Sequence, residues 1–162
     1  MKQEYNVLID IPQKEACFRN DNRLNEVNVN RNILIVDDDN DIIDCFKYIF
    51  ESEGFNIEGA RSPEEALDKV RENNYVIAIL DYILPDMKGD ELAEKLLKID
   101  ESINLIFISG YTDAEDTITR KGIRAYRFFM KPINPKTLID AIKRITEPIN
   151  MYVPVPTTLA IV

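Results

Sequence analysis

From residue 31 onward, short aliphatic runs alternate with amphipathic segments, and that alternation predicts strands and crossover helices around a parallel sheet buried on both faces. "RNILIV" reads as the first strand; "DIIDCFKYIFESEG" then sets Ile42, Phe46, Ile49 and Phe50 at helical spacing, with Gly54 in the position favoured for a left-handed cap. "FNIEGA" is a second, shorter strand. "SPEEALDKVREN" opens with Ser62, Pro63 and, three residues after the serine, Glu65, a capping-box pattern that fixes a helix start. "YVIAILD" is the most continuously apolar run and is therefore placed centrally, followed by a loop "YILPDMKG" and a helix "DELAEKLLKI". "INLIFIS" is the fourth strand and "RFFM" the fifth. Between them "GYTDAEDTITRKGIRAY" offers little beyond Ala114, Ile118 and Ile123 to bury, so its helix should be marginal. Asn134 caps and Pro135 begins the last helix, "PKTLIDAIKRIT", with Leu138, Ile139, Ile142 and Ile145 as its expected inner face.

Five such units between residues 31 and 147 predict an α/β fold, a doubly wound five-stranded parallel sheet whose binding crevice lies outside the carboxyl ends of the strands. The flanks do not fit the repeat. Residues 1–30 contain the linker-like "RNDNRLNEVNVN" after "NVLIDI", a candidate short strand, and residues 148–162 are proline-spaced and extended. With 162 residues and 45% hydrophobic positions, one domain plus two tails is the expected organisation.

Charge and composition narrow the chemistry. A formal charge of -9 argues against an electrostatic grip on nucleic acid or on an anionic membrane, and suits a cation or a basic protein face. The chain has no histidine and two cysteines, Cys17 and Cys45, without metal-type spacing, which excludes thiolate or imidazole zinc sites and Ser-His or Cys-His catalytic pairs. Cys45 is expected to be partly buried on the first helix and Cys17 to lie in a tail. No secretory leader and no run of 18 apolar residues is present, so a soluble, cytoplasmic protein with reduced cysteines is expected.

The residues at the strand ends carry the chemistry. Asp37 and Asp38 follow the first strand, Asp81 the third, Ser109 the fourth and Lys131 the fifth, so a parallel sheet brings them to one edge. Two carboxylates about 4 Å apart repel by roughly 4 kcal/mol at an effective dielectric near 20, so such crowding calls for a cation, a raised pKa or divergent directions. Carboxylates, a hydroxyl and an ammonium together suit Mg²⁺, which takes one or two carboxylates and completes its shell with water and phosphate oxygens. Asp39 and Asn40, next in the "DDDN" run, are read instead as the start of the helix. Neither a "GxxxxGK" nor a "GxGxxG" motif is present, so nucleotide binding is not supported. The candidate nucleophile is the carboxylate standing alone after the central strand, Asp81, whose attack on a phosphoryl group would give an acyl phosphate.

With those residues in place, the chain resembles a response-regulator receiver domain of two-component signalling over residues 31 to about 147, with a single-domain, chemotaxis-regulator-like, flavodoxin-like fold as the implied architecture. The matching pieces are "ILIVDD", "LDYILPDMKG" with proline four and glycine eight residues after the aspartate, "ISG", and "FFMKP". Asp38 precedes Asp81 by 43 positions and Ser109 precedes Lys131 by 22, as the family pattern expects. The resemblance implies that Asp81 accepts a phosphoryl group from the phosphohistidine of a histidine kinase or histidine phosphotransfer protein. It also implies that Asp38 ligates Mg²⁺ directly, Asp37 largely through water, and the Ile83 carbonyl as a further ligand. Ser109 would turn toward the new phosphoryl group, Lys131 would pair with it, and Phe128 would change rotamer as a switch. The Lys131-Pro132 bond is typically cis in the family.

Departures matter too. Phe128 stands where tyrosine is usual, and "KGIRAY" where the family has a glycine-alanine pair. Ile83 and Tyr111 occupy positions that in the family modulate hydrolysis of the acyl phosphate, and neither orients a water as a short amide or acid does, so a long-lived phosphoryl state is expected.

The expected function is therefore a phosphorylatable switch or relay without an attached output domain, a signalling protein and not a turnover enzyme. Its output would be contact with a downstream protein target through the basic, aromatic "RKGIRAYRFF" face. Two other readings use the same residues: a Mg²⁺-dependent phosphohydrolase with Asp81 as nucleophile, which lacks an acid/base residue at Ile83, and a non-phosphorylated pseudo-receiver that binds partners.

Overall fold

The computed structural model describes residues 30–147, so both tails, Cys17 and the candidate "NVLIDI" strand lie outside the described residues. Five strands, β1 (Asn32–Val36), β2 (Asn56–Ala60), β3 (Ile77–Asp81), β4 (Asn104–Ser109) and β5 (Ala125–Met130), form one sheet. Five helices, α1 (Asn40–Glu51), α2 (Pro63–Glu72), α3 (Gly89–Ile99), α4 (Ala114–Arg120) and α5 (Pro135–Thr146), alternate with them. The sheet order is β2-β1-β3-β4-β5 and every pairing is parallel, which is the doubly wound receiver-type architecture expected from the sequence. No helix among the described residues is long and apolar enough to cross a membrane.

Strand alternation divides the core in two. Leu34, Val36, Ala78, Leu80, Leu105 and Phe107 point to the side covered by α2, α3 and α4, where Ala66, Val70, Leu92, Leu96 and Ile118 meet them. Ile33, Ile35, Ile77, Ile79, Ile106 and Ile108 point to the other side, against Ile43, Phe46 and Phe50 of α1 and Leu138 and Ile142 of α5. Full burial of each such side chain contributes about 1.5–3 kcal/mol, which is why the three central strands read as unbroken aliphatic runs.

Caps set the helix starts. Asp39 accepts from the Asp41 amide, so α1 begins where the "DDDN" reading placed it. Ser62 accepts from the Glu65 amide, while the Glu65 carboxylate accepts from the amide of Arg61, one residue ahead of the cap. Asn134 accepts from the Lys136 amide, with Pro135 as the first residue of α5. Gly54 has φ +83°, the left-handed conformation its position after α1 called for.

Three expectations on burial need correction. On α1 the buried residues are Ile43, Phe46 and Phe50, with Ile42 and Ile49 only partly covered at the flank. On α5 they are Leu138, Ala141, Ile142 and Thr146, with Ile139 and Ile145 at the margin. Cys45 is exposed, because it lies on the flank of α1 facing away from the sheet. The marginal helix is as short as its polarity implied: α4 has 7 residues and buries only Ala114 and Ile118. β5 starts two residues earlier than "RFFM" suggests and carries a register shift opposite Leu105 and Ile106.

Candidate functional site

The carboxyl ends of β1, β3, β4 and β5 meet at one edge of the sheet. Asp37 directly follows Val36, and its amide donates to the Ala60 carbonyl at 3.2 Å. Asp81 is the last residue of β3, in register with Ile108, and Ser109 is the last of β4, in register with Met130. The Lys131 amide donates to the Ser109 carbonyl at 2.8 Å, which carries β5's pairing one residue beyond the strand and sets the lysine beside the others.

One local device recurs at three of these strand ends. Asp37 Oδ1 accepts from the Asp39 amide at 2.9 Å, Asp81 Oδ1 from the Ile83 amide at 3.1 Å, and Ser109 Oγ from the Tyr111 amide at 2.8 Å. In each, a short oxygen-bearing side chain turns the backbone away from the sheet by hydrogen bonding two residues on. The second carboxylate oxygen of each aspartate is thereby left to the pocket. Lys131 Nζ takes up both, donating to Asp81 Oδ2 at 2.6 Å and to Asp37 Oδ2 at 3.2 Å.

The β3–α3 loop must fold tightly to keep Asp81 at the mouth. The Gly89 amide donates to the Tyr82 carbonyl at 2.9 Å, and a Cβ at Gly89 would sit 2.6 Å from the Asp81 carbonyl oxygen and 2.9 Å from Tyr82 Cα. Only glycine permits that approach. Asp37 and Asp81 are buried, Ser109 is fully so, and Asp38 is exposed.

Carboxylate oxygens of Asp37, Asp38 and Asp81 lie within 4.8 Å of one another. Burial pushes the Asp37 carboxyl above its ordinary pKa of 3.8, although the Asp39 amide and the Lys131 ammonium act the other way. For Lys131, burial acts to lower the pKa, but the hydrogen bond and charge of Asp81, with those of Asp37, outweigh it and hold the ammonium above 10.5. Three carboxylates therefore cluster where one ammonium pairs with only two of them, Asp37 and Asp81. The donor set is all oxygen, one member is desolvated against its charge, and the spacing brings the three within reach of a single ion, so the residues fit a hard divalent cation.

The remaining sequence-derived residues fall outside this cluster. The Ile83 side chain is 53% exposed and Tyr111 51% exposed, at the rim. Tyr111 is ordered there by its ring, which lies nearly parallel to that of buried Tyr82 with centroids 6.3 Å apart. Phe128 and Phe129 are both partly buried and divide between the two cores, Phe128 against the α4 side and Phe129 against the α5 side. Phe128 also lines a recess of about 490 Å³ between β5 and α4, with Ile118, Thr119 and Ile123. The Lys131-Pro132 peptide is cis. Tyr82 and its stacking on Tyr111 were not legible beforehand; the only signal was a tyrosine one residue after Asp81 and another two residues after Ser109.

A family model described as response regulator receiver domain matches residues 33–143. The response regulator SaeR of Staphylococcus epidermidis is 32% identical over 107 residues, covering 66% of this chain and 46% of that protein. SaeR of Staphylococcus aureus is 28% identical over 120 residues, covering 74% of this chain and 52% of that protein. The chain thus spans about half the length of these curated relatives. Among solved structures, a CheY-like response regulator receiver domain protein from Methanospirillum hungatei superposes with a TM-score of 0.67 at 38% identity, over 70% of this chain and 91% of that one. The response regulator TrrA of Thermotoga maritima, solved in complex with Mg²⁺-BeF, superposes with a TM-score of 0.65 at 29% identity, over 71% of this chain and 98% of that one.

Proposed function

This chain belongs to the response regulator receiver family of two-component systems, and from that premise we propose that Asp81 is its phosphoacceptor, charged by the phosphohistidine of a partner kinase or phosphotransfer protein. The observation that supports this reading is the shared ammonium: Lys131 donates to both Asp81 Oδ2 and Asp37 Oδ2 at the carboxyl edge of the sheet. That TrrA was solved in complex with Mg²⁺-BeF supports Mg²⁺ as the cation here.

Asp81 Oδ2 forms the new P–O bond as the donor's P–N bond breaks, and the imidazole leaves with the electron pair of that bond. The Asp81 Oδ1 hydrogen bond to the Ile83 amide holds the carboxylate in one rotamer during attack. Lys131 moves its contact from the carboxylate to the phosphoryl oxygens. Ser109 donates to one of them by giving up its bond from the Tyr111 amide, which displaces the β4–α4 loop. Asp37, Asp38, Asp81 and the Ile83 carbonyl would hold Mg²⁺, whose charge would balance that of the transferred group. Ser109 and Phe128 are the switch residues, and the output is contact with a downstream protein at the face of α4, β5 and α5, without nucleic acid or membrane. A cytoplasmic location goes with such a kinase partner.

Mg²⁺-dependent labelling with acetyl phosphate tests this assignment. Wild type is expected to form one acid-stable, base-labile acyl phosphate, and Asp81→Asn none; absence of label on the wild type overturns the proposal. Multiple turnover of phosphate esters would instead favour the hydrolase. The exposed apolar Ile83 and the stacked Tyr111 put no short amide or acid at either of these two rim positions to place a water. Label on the wild type is therefore expected to persist for minutes or longer, and Ile83→Asn to shorten it several-fold; loss within seconds from the wild type contradicts this.

A further inference from the structure

Two tyrosines that follow pocket residues along the chain are held in very different ways. Tyr82 comes directly after Asp81 and is buried. Its amide donates to the Ile108 carbonyl at 3.0 Å and its carbonyl accepts from the Gly89 amide at 2.9 Å, so its backbone is bonded on one side to β4 and on the other to the start of α3. Tyr111 stands two residues after Ser109 in the β4–α4 loop and is half exposed. The two rings are stacked with an interplanar angle of 3°. A fixed ring thus supports a ring on a loop.

The Tyr111 amide is also what holds the pocket hydroxyl. It donates to Ser109 Oγ at 2.8 Å, the bond that Ser109 gives up to reach a phosphoryl group on Asp81. We propose that Tyr82 is a positioning residue for this step: by stacking on Tyr111 it keeps that amide on Ser109 Oγ, and so sets how readily the hydroxyl turns to the phosphoryl group. This role rests on the phosphoacceptor reading of Asp81. A stacked aromatic pair shifts an equilibrium by roughly two- to tenfold. That is enough to bias a loop between two positions without locking it.

Little else restrains the loop. Gly110, Tyr111, Thr112 and Asp113 are all exposed, and a Cβ at Gly110 would meet nothing within 4 Å. α4 begins without a side-chain cap, and the bond from the Ala114 amide to the Tyr111 carbonyl is long, at 3.3 Å. The other end of α4 is the firm one. Lys121 Nζ reaches Asp90 and Glu94 on α3, and Arg124 Nη2 donates to the Glu101 carbonyl at 2.9 Å. α4 is therefore free to move from its amino end, where the tyrosine stack and buried Ala114 are its main supports.

Calorimetric titration of the full chain with Mg²⁺-beryllofluoride, an analogue of the phosphoryl group, tests this role. Tyr111→Leu removes one ring at an exposed position and is expected to tighten binding about threefold to tenfold. Tyr82→Leu is expected to tighten it by the same factor while lowering the melting temperature, and the double variant to tighten it no further, because the two rings act as one unit. Tyr111→Phe keeps the ring and is expected to bind as wild type does. Lys121→Met loosens α4 at its other end and is also expected to bind as wild type does, which separates the stack from a general loosening of the helix. One affinity across all these proteins, weaker binding by the leucine variants, or equal tightening by Lys121→Met overturns the role of Tyr82. Any of these, with acetyl phosphate still labelling wild type, leaves the acceptor reading standing. A wild type that neither binds the analogue nor takes label overturns both.

Discussion

At the scale of single residues, the three consecutive aspartates have three different jobs. Asp37 bonds the Asp39 amide through one oxygen and Lys131 through the other; Asp38 is exposed at the rim; Asp39 caps α1. These roles separate in two measurements. In a Mg²⁺ titration, Asp38→Ala is expected to lose at least tenfold in affinity while Asp39→Ala stays near wild type. In thermal unfolding the order reverses, with Asp39→Ala losing about 1 kcal/mol for its cap and Asp38→Ala losing little. Equal losses of Mg²⁺ affinity would show the division to be wrong. The identities of the strand-end residues were legible because each followed an apolar run, and a parallel sheet aligns such ends without further information. What was not legible is how they are held. The Asx-type bonds of Asp37 and Asp81, the matching bond of Ser109, and the contact that requires glycine at position 89 depend on backbone turns that sequence spacing does not encode.

At the scale of elements, the central place of β3 and the starts of α1, α2 and α5 followed from the sequence, while the inner faces of α1 and α5 came out rotated by about one position. Ile42 and Ile43 are equally apolar neighbours, and only the direction in which α1 crosses β1 and β2 decides that Ile43 goes under. α4 shows the other limit. With Ala114 and Ile118 as its only buried residues, it is anchored chiefly at its end, where Lys121 Nζ reaches buried Asp90 Oδ2 at 2.5 Å and Glu94 Oε1 at 3.5 Å on α3. The Asp90 hydrogen bond raises the Lys121 pKa above its ordinary 10.5. A base whose pKa is raised on folding contributes stability that is fully present below its ordinary value and is lost as pH rises through the raised one. Lys121→Met is therefore expected to melt below wild type at neutral pH, and the gap is expected to close as pH is taken above 10.5. A gap that persists unchanged in that alkaline range would mean that the methionine substitution acts through packing of α4 and not through the ion pair.

At the scale of the whole molecule, the two apolar layers stabilise a pocket that is itself unfavourable. β1 serves both layers, with Leu34 and Val36 on one side and Ile33 and Ile35 on the other, and delivers Asp37 into a buried position beside Asp81. Desolvation raises the Asp37 pKa even though Lys131 stands 3.2 Å away, so the charged form at neutral pH costs the fold free energy. Lys131 does not remove that cost, because it is shared with Asp81 at the shorter distance of 2.6 Å. Asp37→Asn keeps an Oδ1 for the Asp39 amide and leaves the Lys131–Asp81 pair intact while deleting the charge. Without Mg²⁺ this variant is expected to be more stable than wild type by about 1 kcal/mol, as is common where a functional site is relieved of strain. Saturating Mg²⁺ is expected to raise the melting temperature of wild type more than that of the variant, since a cation that binds only the folded state adds stability in proportion to its affinity. Chemical denaturation of both proteins, with and without the metal, measures all four corners of this cycle. A variant less stable than wild type without Mg²⁺ would show instead that the Asp37–Lys131 pair is a net support of the fold.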